Sequence, residues 1–370
     1  MENISIAFRI AALALVFSNG QSEAAPSLQN LGTYLCGPAE RCEALAVGPM
    51  PDKSVAVLVV SKGQGQESGS ARLLICAAGN SICRKVSEWP TESPLRRSDV
   101  DMLSLPSGIE FLSKDSASKV NLRAVDGQGV VNEVALPFSL DAHLIASDGV
   151  RRMFIRSYAG AVGLVEGSPS SGLQVLKMLD GIDMESIVST SRSGSEAVYA
   201  RVLKDSTAAA PKAVVERISK AGVARCRYVI EGVPESLLTI GAADVMLYSN
   251  IGPKGDDIWS VGLAECASAV IASKAVPKGS AKIKSVAMAC GRRCSVAVLT
   301  RSRFEVFGVP LRGGEPTFNR ELEFSVLTAD EVLGGLVMAA EADDSLIATF
   351  STVLKDRNLT SAINVFRVVR

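Results

Sequence analysis

One histidine, His143, is the only imidazole in the 370 residues, so any histidine-based relay or metal site rests on that side chain. It lies within Asp141-Ala142-His143-Leu144-Ile145, an apolar strand-like stretch, and reads as a structural residue. No Gly-x-Ser-x-Gly nucleophile elbow occurs. Ser116-Ala117-Ser118-Lys119 has the spacing at which a lysine amine can activate a serine, but its polar surroundings read as a turn. Gly63-Gln64-Gly65 and Gly127-Gln128-Gly129 complete neither a dinucleotide fingerprint nor a phosphate loop, and read as hairpin turns. The adjacent acids Asp256-Asp257 and Asp343-Asp344 lack the alternating spacing of a calcium loop and read as solvated turn acids. No catalytic residue, metal or cofactor is assigned.

Composition narrows the classes further. The 39 basic and 39 acidic side chains balance, which argues against a nucleic-acid partner or a polybasic membrane arm. With 31 Gly and 15 Pro the chain stays near the globular average of roughly 7% plus 5%, so collagen-like and low-complexity classes are excluded. Two tryptophans, Trp89 and Trp259, are too few for a repeated carbohydrate-stacking platform, and Trp89 reads as packing.

The N-terminus reads as an export signal. Ile10–Phe17 is continuously apolar and too short for a span of about 20 residues. Ser22-Glu23-Ala24 then offers small residues for cleavage after residue 24. No later stretch is apolar enough to cross a membrane as a helix, so residues 25–370 are expected as one soluble, secreted or periplasmic domain. Eight cysteines fit an oxidising compartment. Six form close pairs, Cys36/Cys42, Cys76/Cys83 and Cys290/Cys294, and Cys226 and Cys266 remain. Counting leaves connectivity open, since eight cysteines allow 105 pairings. Asn358-Leu359-Thr360 is a glycosylation sequon, relevant only in a glycosylating host.

The elements that must position these residues are strands. Short apolar or alternating runs bounded by Gly, Ser, Asp and Pro recur, and long amphipathic helical patterns do not. One apolar run returns at residues 55, 109, 153, 197, 245, 295 and 346, at intervals of 44 to 54 residues. That is the period of blade-like repeats. Three further strand candidates follow each start, as at 120–125, 130–136 and 142–147. On this count His143 falls on an outermost strand. The last unit, 346–370, is two strands short, and residues 32–47 supply two.

Ala146-Ser147-Asp148-Gly149 followed by Arg152-Met153-Phe154-Ile155 resembles the strand–turn–strand junction of β-propeller repeats, with echoes at 106–109 and 193–198. The resemblance is to the β-propeller superfamily over the whole mature chain. No WD, kelch or Asp-box signature singles out a family. It implies an all-β, seven-bladed propeller of four-stranded blades, the last closed by both chain ends. In that frame Cys76–Cys83 staples two strands of the first blade and Cys36–Cys42 joins two strands of the closing blade. Cys290–Cys294 spans a link between blades, and Cys226 pairs with Cys266 by elimination.

Propellers bind partners across one face, and the turns at that rim carry Asp52, Lys53, Asp148, Arg151, Arg152, Arg192, Asp244, Arg292, Arg293, Asp343 and Asp344. Both signs are mixed, unlike a nucleic-acid funnel. The expectation is a monomeric scaffold for a protein or small ligand. The alternative is a lactonase-like or glycan-cleaving propeller hydrolase, whose carboxylates would meet in the central channel from separate blades.

Overall fold

The computed structural model describes residues 26–63, 69–91, 100–116, 119–136, 142–158, 161–168, 172–179, 187–193, 196–203, 212–219, 224–231, 233–240, 243–252, 255–263, 271–274, 285–290, 294–299, 303–309, 319–325, 331–341, 344–355 and 358–370. Every regular element among them is a strand. After β1 (Ser27–Leu35), a first sheet holds β2 (Glu40–Pro49), β3 (Val55–Gly63), β4 (Gly69–Cys76) and β5 (Arg84–Thr91). The second holds β6 (Val100–Leu105), β7 (Gly108–Ser116), β8 (Lys119–Asp126) and β9 (Val131–Ala135). The third holds β10 (Ala142–Ser147), β11 (Arg152–Tyr158), β12 (Ala161–Ser168) and β13 (Gly172–Leu179). The fourth holds β14 (Ile187–Ser193), β15 (Glu196–Val202), β16 (Lys212–Ser219) and β17 (Ala224–Glu231). In the fifth are β18 (Val233–Ile240), β19 (Ala243–Gly252), β20 (Gly255–Leu263) and β21 (Ile271–Lys274). In the sixth are β22 (Ser285–Cys290), β23 (Cys294–Leu299), β24 (Arg303–Val309) and β25 (Asn319–Ser325). A terminal sheet joins β26 (Glu331–Glu341), β27 (Asp344–Lys355) and β28 (Asn358–Val369) to β1.

Each sheet is an antiparallel meander, and the repeated four-strand sheet is the unit of a β-propeller. The recurring apolar run is the second strand of each sheet. Val55–Val60 of β3 is buried throughout, because it has strands on both sides and sheets on both faces. Side chains from consecutive sheets build the core. Leu45, Leu58, Trp89, Ile109 and Phe111 meet between the first and second sheets. Phe304, Val306, Ile347 and Phe366 meet between the sixth and terminal sheets. Leu31, Val57, Val337 and Ile363 join the terminal sheet to the first.

The sheet boundaries lie one strand N-terminal to the repeat starts expected from sequence. The starts at 55, 109, 153, 197, 245, 295 and 346 fall on β3, β7, β11, β15, β19, β23 and β27, and 142–147 opens the third sheet. The terminal sheet is therefore three C-terminal strands plus one N-terminal strand. Ser27 pairs with Val369 and Leu35 with Ala362, whereas 40–49 opens the first sheet. A turn at Gly37-Pro38-Ala39, with Ala39 at φ 61°, separates β1 from β2.

The cysteines follow from this phase. Cys36–Cys42 links the terminal sheet to the first, across that turn. Cys76–Cys83 staples β4 to the start of β5. Cys290 and Cys294 stand opposite each other at the end of the β22–β23 hairpin, within one sheet rather than between two. Their side chains, that of Cys226 and the whole of Cys266 lie outside the described residues.

Candidate functional site

The hairpins between the first and second strands of five sheets, the sixth, terminal, first, second and third, gather at one end of the molecule. Contacts between neighbouring sheets show this at four junctions. Gly48, near the end of β2, lies against Met102 and Ser104 of β6 and Ile109 of β7. Glu110 of β7 accepts from Ser147 Oγ at 2.6 Å and from Arg152 Nε and Nη2 at 3.1 and 2.6 Å. Ser345 of β27 donates to Ser295 of β23 at 3.3 Å, and Arg370 bonds both hydroxyls. Arg367 of β28 grips Glu341 through Nε and Nη2 at 2.6 and 3.0 Å and donates from Nη2 to the Lys53 carbonyl at 2.9 Å.

The geometry of the β10–β11 hairpin comes from its own sequence. Asp148 accepts from the Val150 and Arg151 amides at 2.9 and 2.6 Å, an Asx turn. Gly149 takes φ +87°, where a side chain would be strained. The Arg151 amide, then the Val150 amide, holds the Asp148 carboxyl below the usual aspartate range. Arg151 reaches Asp148 at 3.4 Å yet stays 64% exposed, beside exposed Val150. Arg152 is turned inward onto Glu110, which is almost fully buried. The result is a rigid turn presenting one acid, one apolar and one basic side chain, on a base whose charges are paired.

Of the residues expected at the rim, Asp52, Lys53, Asp148, Arg151 and Arg152 lie in two such hairpins. Asp52 accepts from the Ser54 amide at 2.9 Å. Arg192 on β14 and Asp244 on β19 border two more hairpins, facing Ala197 and Thr239 in register, and their side chains lie outside the described residues. Arg292, Arg293 and Asp343 also lie outside them. Asp344 opens β27 and accepts from the Arg370 amide at 3.3 Å. Sequence reasoning missed Glu110, Arg367 and Glu341. The first two had a signal: each is a lone charge inside an apolar strand, IEFL and NVFRVV. Such charges persist when paired.

His143 is not on an outer strand. It lies on β10, the first strand of the third sheet, beside β6 of the second. Its Nδ1 is 3.2 Å from Asp101 Oδ2, which also accepts from the Leu144 amide at 3.0 Å. The Asp101 carboxylate thus satisfies a backbone donor on the free edge of β10 and orients the ring. Ser116 and Lys119 pair in register at the end of β7 and the start of β8, with 117 and 118 outside the described residues, and Asp126 caps the Gly127–Gly129 turn through the Gln128 and Val130 amides. Trp89 packs against Phe111 and under Arg123, whose guanidinium lies 4.0 Å from the ring centre. Among the described residues no group of three His, Cys, Asp or Glu is arranged to hold a metal ion.

The chain has a β-propeller fold. No protein-family model and no curated protein sequence matches it. Solved structures do. The polysaccharide lyase Uly1 aligns at a TM-score of 0.53 with 7% identity, covering 88% of this chain and 90% of the lyase. Sqt1 from Chaetomium thermophilum aligns at 0.51 with 11% identity, covering 93% and 100%. The β-propeller domain of the Trilobed protease from Pyrococcus furiosus aligns at 0.47 with 7% identity, covering 89% and 95%. At identities this low the first two alignments speak for architecture alone.

Proposed function

We propose that residues 25–370 form one closed, seven-bladed propeller, exported after removal of residues 1–24, that acts as a monomeric scaffold for a protein or small ligand. The observation that carries the binding role is the hairpin end, where Glu110–Arg152 and Arg367–Glu341 fix the base while Asp148, Val150 and Arg151 face outward. Rigid loops on a packed scaffold are where binding residues concentrate. Seven sheets among the described residues support the blade number. The first strands lie against one another in sequence order, and β2 lies against β26, which supports closure. Two disulfides support an oxidising compartment. Among the described residues no helix is long and apolar enough to cross a membrane. Arg192, Asp244, Arg292, Arg293 and Asp343 complete the proposed rim.

The test is site-specific photo-crosslinking in the producing organism, with the crosslinker at position 151 and, as a control, at position 84. A partner captured from 151 and lost when Asp148→Lys is added supports the reading. Equal capture from both positions defeats it. Intact mass of the exported product checks removal of residues 1–24.

A second reading, a hydrolase, draws on Asp101 and His143, an oriented carboxylate–imidazole pair contributed by the first strands of two sheets. Turnover of a lactone or glycan panel that disappears in His143→Gln, with folding retained, would favour it over the scaffold.

A further inference from the structure

Every sheet ends in an outer strand hydrogen-bonded on one side, and such edges are open to pairing with another chain unless something blunts them. Most of these edges are blunted. β5 carries Arg84, Lys85, Glu88 and Pro90, and β9 has five residues with Glu133 held by Arg123. β17 contains Arg225, Arg227 and Glu231, β25 contains Arg320, Glu321 and Glu323, and β21 has only four residues. The edge of β1 is covered, since the Thr33 amide donates to the Ser81 carbonyl and the Cys83 amide donates to the Thr33 carbonyl.

β13 departs from this. It runs eight residues, Gly-Leu-Gln-Val-Leu-Lys-Met-Leu, with no proline and no charge before Lys177, and its bulge at Leu176 leaves residues 172–175 as the regular, uncharged run. Among the described residues its one strand partner is β12. Gly172 to Val175 are all exposed, with Leu173 at 39% and Val175 at 40%. Leu173 lies flat over β12 because Gly167 has no side chain: a Cβ there would stand 2.9 Å from Leu173 Cδ2. Two same-side apolar residues thus flank a backbone edge that no other described strand pairs with.

We infer that the outer edge of β13 docks an extended segment of another polypeptide, added as a fifth strand, apolar at alternate positions and acidic opposite Lys177. The backbone edge selects another backbone, as residues 81–83 already do for β1. Area selects a short segment over a second copy of the chain. Eight residues span about 27 Å at about 3.4 Å each, and a strip roughly 10 Å wide covers about 300 Å² per partner. That makes about 600 Å² in total, well below the roughly 1,200–2,000 Å² of a stable interface. Lys177, the single charge of the strand, sets the complementary charge. This inference rests on the fold and is independent of the hairpin face.

The experiment pans a phage-displayed random octapeptide library on the full-length protein. Enriched peptides are expected to alternate apolar residues and to carry Asp or Glu, and Val175→Lys and Leu173→Lys should each weaken their binding at least tenfold. Both substitutions are at exposed positions, and thermal melting of each confirms folding. Methylating alternate amides of the peptide should abolish binding for one edge and spare it for the other. Arg151→Glu should leave binding unchanged. No enrichment, undiminished binding to both lysine variants, tolerance of methylation on both edges, or loss in Arg151→Glu would each overturn the assignment. So would a dimer in sedimentation that Val175→Lys dissociates, because the occupant would then be a second copy.

Discussion

Arg72→Met in β4 should destabilise the protein by about 2 kcal/mol at neutral pH, and the loss should fade on acidification. The Arg72 guanidinium donates to both Glu40 oxygens, from Nη1 and Nη2 at 2.7 and 2.8 Å, and from Nε to Glu88 at 2.8 Å. Bonds between charged groups contribute about 1.5 kcal/mol or more each when shielded. Here the arginine is 10% exposed but the carboxylates are 26% and 32% exposed, so water recovers roughly half of three such bonds. Methionine fills the aliphatic volume and removes the charge.

The pH dependence has a definite sign. Arg72 holds Glu40 below the usual glutamate range, against the opposing effect of burial. Lys85 first, then Arg72 and Ser70, pull Glu88 down to about 2. Carboxylates depressed in the folded state stabilise it above their unfolded value near 4.5 and lose that contribution as pH falls through the folded value. Glu88 keeps Lys85 in the variant, so the difference between the two proteins is carried mainly by Glu40. Urea midpoints measured from pH 7 to pH 2.5 should converge below about pH 4.5. A gap that stays constant across that range would refute an ionic origin and leave packing as the cause.

Three other perturbations test separate parts of the fold. Phe366→Ala empties the contact with Phe304, 6.1 Å away across the sixth and terminal sheets, and should cost about 3–5 kcal/mol in chemical denaturation. Gly108→Ala places a Cβ 1.9 Å from the Val125 carbonyl at φ +152° and should cost about 3 kcal/mol, read from the same midpoints. Replacing Cys36 and Cys42 together by serine opens a loop of sequence separation 6 and should cost about 2 kcal/mol, seen as a midpoint shift under non-reducing conditions.

Period was legible in the sequence, and phase was not. The apolar run that repeats every 44 to 54 residues is the second strand of each sheet, so it marks a position within the unit. Hydrophobicity ranks strands by burial and does not say which one comes first. A first strand with a free inner edge is less uniformly apolar: β6 reads Val-Asp-Met-Leu-Ser-Leu and β10 includes His143. Beginning each unit at the apolar run therefore placed His143 at the periphery and turned a three-plus-one terminal sheet into two plus two. The cysteine spacing carried the missing information. Cys36 and Cys42 enclose Gly37-Pro38, and a proline that cannot donate to a ladder favours a break over a continuous hairpin.

The site was legible to the extent that its residues shape their own backbone. Asp148-Gly149 announces its turn through a short acceptor and a left-handed glycine, both read within four residues. Glu110 and Arg152 lie 42 positions apart, and Arg367 lies 314 from Lys53. Contacts at those separations exist only because the sheets stack in order. Their trace in the sequence is indirect: a charge inside an apolar strand costs too much to bury alone, so it requires a partner from elsewhere. Within one sheet a charge on a strand can find its partner on the next strand, as Arg72 does with Glu88. Charges at the hairpin end meet the neighbouring sheet instead, and this is why Glu110 and Arg367 tie sheets together at the end where the rim residues lie.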